Sequence, residues 1–226
     1  MATALDFVSN SIKNYNDVVI FNKTFNAPVN TEPTIPSETV ILLRNNLLKE
    51  EIKELVSAIL DNDLPKIADG VADVLYVAYG AAICYGIYFD DLEMRGNFVS
   101  HVSIETDKLH LFLNGFITSA EDKDFKSMKE FLQGIAQTCY NIASHYKFSA
   151  DEAFKLAHDS NMTKACSSDE EVVKTIANYL EMDQPCYPLQ LNGKFIVLRE
   201  ADNKILKNVN YKPADFSTLF QGRLPL

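Results

Sequence analysis

Basic residues are in short supply in this chain. It has 21 Lys and Arg against 31 Asp and Glu, a net charge of −10. No basic stripe forms, which excludes an extended nucleic-acid-binding surface but not a small phosphorylated substrate, which needs only a local positive site. Cysteine is sparse: Cys84, Cys139, Cys166 and Cys186 lack metal-ligand spacing. They read as reduced thiols in a cytosolic-type compartment, so a cytoplasmic location is expected. The four histidines, 101, 110, 145 and 158, show no ligand spacing, and His158 is expected in the core or on the surface. No D-x-D-x-D-G loop is present, which excludes an EF-hand calcium buffer. Tryptophan is absent, with Tyr and Phe spread along the chain. The start, MATALDFVSNS, lacks a charged segment followed by an apolar one, so no secretory signal is expected. Beyond Asp73 only 16 uncharged residues follow, short of the roughly 20 that span a bilayer, and no membrane partner is expected.

Acids dominate one stretch, residues 41–89. ILLRNNLLKEEIKELVSAIL and IADGVADVLYVAYGAAICYGIYF read as helices joined by DNDLPK. On a wheel of about 100° per residue, Leu47 and Leu55 flank Glu51 by about 40°, and Glu54 lies about 60° away. Glu51 and Glu54 thus fall on or beside the apolar face, with Glu50 at its rim. In the second helix Asp73 is the only charge from Gly70 to Phe89, and Asp69 lies one turn earlier on the same face. A buried carboxylate must protonate or find a cation. An antiparallel helical hairpin would gather Glu51, Glu54, Asp69 and Asp73 inside a bundle. Arg44, Lys49 and Lys53 read as lying off the acid face, so a hard divalent cation, foremost Mg²⁺, is the expected partner. Two blander readings stand beside this one. KEEIKE also suits a solvated helix face, and a Tyr hydroxyl or helix N-cap could satisfy Asp73.

Elsewhere, residues 4–24 read as a first helix and 26–36 as a proline-broken loop, with Ser37 capping the next helix. A turn or short helix follows Asp90 or Asp91, with a break at Gly96. Residues 97–120 and 125–147 form a second helix pair. A shift of 61 residues lays LVSAILDNDLPKIADGVADVLYVAYGAA on FITSAEDKDFKSMKEFLQGIAQTCYNIA without a gap. Glu51 then falls on Phe112, Glu54 on Gly115 and Asp73 on Gly134, which suggests an internal duplication whose second copy lost its acids. Asp151 opens a further helix running to near Cys166. Ser168 and Glu171 form a capping box for a helix over 169–181, and 183–188 is a loop. LQLNGKFIVLREADNKILK reads as a β-hairpin turning at Asn192-Gly193, and the end as an extended segment packed on the bundle. Asn161 and Lys164, i and i+3 after Asp159, would suit a polyphosphate beside an acidic metal site.

These residues resemble the all-α nucleoside triphosphate pyrophosphohydrolase superfamily, which includes MazG-like proteins, dimeric dUTPases and phosphoribosyl-ATP pyrophosphohydrolase. That family carries E-x-x-E on one helix and E-x-x-D on the next, binding Mg²⁺. Glu51 and Glu54 match the first pair, Glu50 extends it, and Asp73 matches the final Asp. Gly70 stands where the family has Glu, with Asp69 one residue before it. VVIFNKTFNAPVNTEPTIP, HDSNMTK and KILKNVNYKPADFSTLF resemble the small MazG-like and dUTPase-like branch, in which Asn and Lys of this motif contact phosphates. In that branch the acidic hairpin runs almost directly into the motif, so residues 95–147 look inserted.

The resemblance implies an all-α fold with a small C-terminal β-hairpin, a helical domain over 1–182, and a hairpin and tail over 183–226. It implies a nucleoside triphosphate substrate, dUTP or another deoxynucleotide, cleaved to the monophosphate and pyrophosphate. Metal would sit on Glu51, Glu54, Asp69 and Asp73 (Mg²⁺, with Mn²⁺ as a substitute), with Glu50 or Glu51 as general base and Asn161 and Lys164 on the phosphates. A homodimer is implied, or fewer subunits than relatives have if 95–147 mimics a partner. Phosphoribosyl-ATP is the alternative substrate, and a non-catalytic helical scaffold the alternative of another class.

Overall fold

The computed structural model describes residues 4–89, 101–191 and 193–221. Seven α-helices and one β-hairpin make up its regular elements: α1 Ala4–Thr24, α2 Glu38–Leu60, α3 Leu64–Tyr85, α4 Val102–Glu121, α5 Phe125–His145, α6 Ala150–Asn161, α7 Asp169–Glu181, β1 Cys186–Leu191 and β2 Lys194–Arg199. This is the all-α architecture with a C-terminal hairpin expected from the sequence. The turn or helix expected over 90–96 lies outside the described residues, as does Asn192 of the hairpin turn.

The core is built on α3. Its Ile67, Val71, Val74, Leu75, Tyr79, Ile83 and Tyr85 are completely buried. The helix is long and apolar enough to cross a membrane, but 89% of its apolar window is buried inside the fold. Burial, not the shortness expected from the sequence, identifies it as a core helix. It also begins and ends earlier than expected. The Asp63 side chain accepts from Lys66 N with Pro65 in the first turn, and Gly86 at φ 67° ends the helix. Gly86 is needed there, since a Cβ would stand 1.9 Å from Glu32 O.

α2 packs along α3, α4 along α5, and the second pair packs on the first, mainly α5 on α3. The two hairpin turns match bond for bond at the 61-residue offset. Asp61 N bonds Ser57 O and Asp122 N bonds Thr118 O; Asp63 N bonds Ala58 O and Asp124 N bonds Ser119 O. Asn62 and Lys123 both take positive φ, 52° and 57°. Asp124 caps α5 through Ser127 N as Asp63 caps α3. At the far ends, Ile87 N bonds Ala82 O and Phe148 N bonds Ala143 O. Gly86 and Lys147, again 61 apart, are both left-handed.

The remaining elements close one side of this bundle. Ser149, not Asp151, caps α6, which gives way at Asn161 to a 3₁₀ turn over Met162–Lys164 and so stops short of Cys166. Ser168 caps α7 through Glu171 N, while the Glu171 carboxylate reaches back to Ser167 N, a one-residue variant of the expected box. Ser37 stands at the α2 N-cap without a side-chain bond. β1 pairs with β2 from Cys186↔Arg199 to Leu191↔Lys194, so part of the expected 183–188 loop is strand. The tail is not wholly extended. Its last described element is a 3₁₀ turn, Phe216–Phe220, which buries Phe216 and sets Phe220 against Phe148.

Candidate functional site

A cavity of about 670 Å³ lies between α2 and α3 on one side and α6 and the tail on the other. That volume suits a nucleotide-sized ligand. Glu50, Glu51, Glu54, Asp69 and Asp73 form its acidic wall, and Asn161, Lys164, Lys204 and Lys207 also line it. All seven site residues named from the sequence therefore meet at one cavity. Asp159 does not join them; it pairs with Lys155 on the exposed side of α6.

The acids are not sealed between α2 and α3 as expected. That seam is filled by Leu48, Ile52, Leu55 and Ile67, all fully buried. Glu51 and Asp73 are partly buried, while Glu50, Glu54 and Asp69 are exposed along the cavity. The wheel placed Glu51 and Glu54 beside the apolar stripe correctly, but α6 and the tail stand far enough off to leave a cleft there.

Crowding shows in the acid chemistry. Burial raises the Glu51 carboxyl to about 8, and the charges of Asp73, Glu54 and Glu50 add to the rise. Burial raises Asp73 to about 7, with Asp69 adding and Lys164 and Lys207 opposing. Asp69, although exposed to the cavity, is raised by partial loss of hydration from the protein around it, against the pull of Lys207. Lys164 is pushed down to about 8 by burial, which outweighs the attraction of Asp73. A cation would not be the only relief for these acids, because three lysines already face them. The donor set is nonetheless all hard oxygen, which fits Mg²⁺ or Mn²⁺ and not a soft metal. Among the described residues, no three His, Cys, Asp or Glu side chains form a ready-made metal cluster. The carboxylates line the wall and would have to converge on an ion.

Gly70 has a steric explanation. A Cβ there would stand 2.9 Å from Leu55 Cα, because α2 and α3 touch at this level. No glutamate fits, and the exposed Asp69 supplies the neighbouring carboxylate.

Three features escaped the sequence reading. Lys204 Nζ donates to both Glu50 carboxylate oxygens, at 3.0 and 2.8 Å, across 154 residues of sequence. Lys207 lies over the Tyr211 ring at 4.6 Å on the same tail. Their one sequence signal is basic residues clustered after the hairpin in an acidic chain. Arg44, expected off the acid face, is buried and lines the cavity. Gly80 makes room for it, since a Cβ there would stand 2.7 Å from Arg44 Nη1. Phe21 and Tyr76 belong both to the core and to the cavity wall. His158 is partnered with Tyr76, whose hydroxyl lies 3.0 Å from Nδ1.

Comparison with known proteins places these residues in context. The family pattern for phosphoribosyl-ATP pyrophosphohydrolase matches residues 18–95, which hold the acidic hairpin. An uncharacterized protein of Acanthamoeba polyphaga mimivirus is 31% identical over 245 residues, covering 94% of this chain and 98% of its own. No solved structure matches.

Proposed function

The chain belongs to the phosphoribosyl-ATP pyrophosphohydrolase family of the all-α, MazG-like NTP pyrophosphohydrolases, and from that premise we propose that it is a magnesium-dependent nucleoside triphosphate pyrophosphohydrolase. It would cut a deoxynucleoside triphosphate to the monophosphate and pyrophosphate, in a role that clears unwanted nucleotides. One observation carries the reading: the acids of α2 and α3 face Lys164, Lys204 and Lys207 across a single nucleotide-sized cavity.

Glu51, Glu54, Asp69 and Asp73 would hold Mg²⁺, with Mn²⁺ as a substitute. When bound, the ion neutralises phosphate charge and activates the attacking water. Glu51 is the better-placed general base of the two considered. Glu50 is engaged by Lys204, whereas Glu51 takes up a proton readily near neutral pH. Lys164 would balance charge developing on the phosphates, and Asn161, buried at 7% exposure, would orient a phosphate oxygen. Lys204 and Lys207 extend this positive wall from the tail.

We read the α4–α5 pair as a degenerate copy of α2–α3. If it stands in for a second subunit's hairpin, the enzyme would need fewer subunits than a homodimeric relative. The reading keeps the nucleoside triphosphate as sole partner and a cytoplasmic location. A second reading, phosphoribosyl-ATP as substrate, follows from the matching family's description.

The test is pyrophosphate release with Mg²⁺ across ordinary, deaminated and oxidised nucleoside triphosphates and phosphoribosyl-ATP. Glu54→Ala and Asp73→Ala should each abolish it. Turnover retained in either variant would rule the assignment out.

A further inference from the structure

Two buried polar atoms in the cavity wall have no hydrogen-bond partner among the described residues: Asn22 Oδ1 and Arg44 Nε. Asn22 is completely buried, and its Nδ2 donates to Pro28 O at 3.1 Å. That bond fixes the amide so that Oδ1 is the free acceptor. Arg44 is 8% exposed, and no carboxylate pairs with its guanidinium among the described residues. The guanidinium already has the Cys84 thiol as a neighbour, a weak partner. What stands open is a buried acceptor, Asn22 Oδ1, and one buried cationic donor, Arg44 Nε, which are costly unless water or a ligand completes them.

Their position says which part of a ligand that is. On α2, Arg44 lies seven residues before Glu51, about 10 Å along the helix axis. Across the seam Arg44 meets Gly80, two turns along α3 from Asp73. Val18 beside Gly80 and Pro28 beside Asn22 line the cavity here, and Phe25 and Phe21 continue the apolar wall toward Lys164, a surface suited to a flat ring. A phosphate could satisfy Arg44 but offers Asn22 no donor. A nucleobase offers both partners.

We propose that Asn22 and Arg44 read the base. They select a lactam edge, in which a ring N–H stands beside a carbonyl oxygen, as in uracil, thymine, guanine and hypoxanthine. The N–H donates to Asn22 Oδ1, and the carbonyl accepts from the Arg44 guanidinium. With the triphosphate at the acidic end fixing which way the ring faces, cytosine and adenine place an amino donor against the cation and an unprotonated ring nitrogen against Asn22 Oδ1, so both contacts fail. A site built on buried polar partners rejects a base that leaves them unpaired. This inference rests on the hydrolase reading only for putting the triphosphate at the acidic end.

The experiment measures binding of deoxynucleoside 5′-monophosphates to the full chain in EDTA, by calorimetry, with pyrophosphate release from the triphosphates assayed in parallel. dUMP, dTMP, dGMP and dIMP should bind at least about 10-fold tighter than dCMP and dAMP. Asn22→Leu and Arg44→Met should each bring uracil and cytosine within about threefold. Equal wild-type affinity for dUMP and dCMP, no binding of any monophosphate, or an unchanged ratio in both variants overturns the proposal. The base preference without triphosphate turnover would leave the base-reading site standing and sink the hydrolase reading. Turnover without the preference would do the reverse.

Discussion

Phe112 lies against Gly134, where a Cβ would stand 2.8 Å from the ring's Cδ2. These are the positions that hold Glu51 and Asp73 in the first helix pair, 61 residues earlier. Gly115, the counterpart of Glu54, is covered by Phe131 at 2.5 Å in the same way. At Arg44's position stands Glu105, 1% exposed and bonded by Lys108 and Asn141. Where the first pair opens a charged cavity, the second interlocks rings with glycines and satisfies its one buried charge internally. Gly134→Ala should therefore overpack this seam and cost about 1–3 kcal/mol. Adding Phe112→Leu should recover part of the loss, and thermal unfolding of the single and double variants measures the coupling.

The acid cluster sets the pH dependence of stability. In the folded chain Asp73 holds its proton up to about 7 and Glu51 up to about 8; unfolded, both release it near about 4. Between those limits the folded state binds more protons, so stability falls as pH rises from about 5 to 8. The acids lowered by hydrogen bonds, such as Asp202 and Glu171, stay ionised across that window. Tm in EDTA should be higher at pH 5.5 than at pH 8, and Mg²⁺ should raise Tm more at pH 8, where fewer protons compete for the carboxylates. Equal Mg²⁺ shifts at both pH values would contradict this.

Lys164, held down to about 8 by burial, loses its charge at mildly alkaline pH. kcat/KM should fall above about pH 8. Lys164→Arg keeps the charge at high pH and should move that limb up by more than about one unit. Lys164→Met should lower kcat/KM by about 10²–10³. A pH–rate profile of the three proteins decides it.

Lys204→Ala breaks the contact between tail and α2. The pair is part-exposed, with side chains 28% and 47% accessible, so its loss should cost less than about 1 kcal/mol. KM for the triphosphate should nonetheless rise severalfold, because the lysine lines the cavity proposed to hold the phosphates. A large drop in Tm with unchanged KM would mark the contact as purely structural.

Gly86→Ala forces a left-handed residue and drives a Cβ into Glu32 O. It should cost more than about 2 kcal/mol and lower Tm by about 4–8 °C, read by calorimetry.

Much of this was legible in the chain. Apolar periodicity gave α1 and both helix pairs, and the Ser168 cap marked the start of α7, which local hydrogen bonding enforces; the Asp63 cap of α3 was not read from the chain. The acids of α2 and α3 were found because carboxylates beside a leucine stripe are conspicuous. The ends of α3 and α6 were less legible, since the left-handed Gly86 and the 3₁₀ turn after Asn161 answer to packing and not to periodicity.

Sequence by itself determined which side of α2 carries acids, and that those acids share a helical hairpin with Asp73, because helix geometry fixes side-chain direction within a few turns. Only the tertiary structure decided what stands opposite. Lys204 and Lys207 arrive from a tail more than 150 residues beyond Glu50, and Arg44 turns inward because Gly80 on another helix leaves room. Such partners are set by how elements pack at long range, and no local rule of spacing or propensity encodes that.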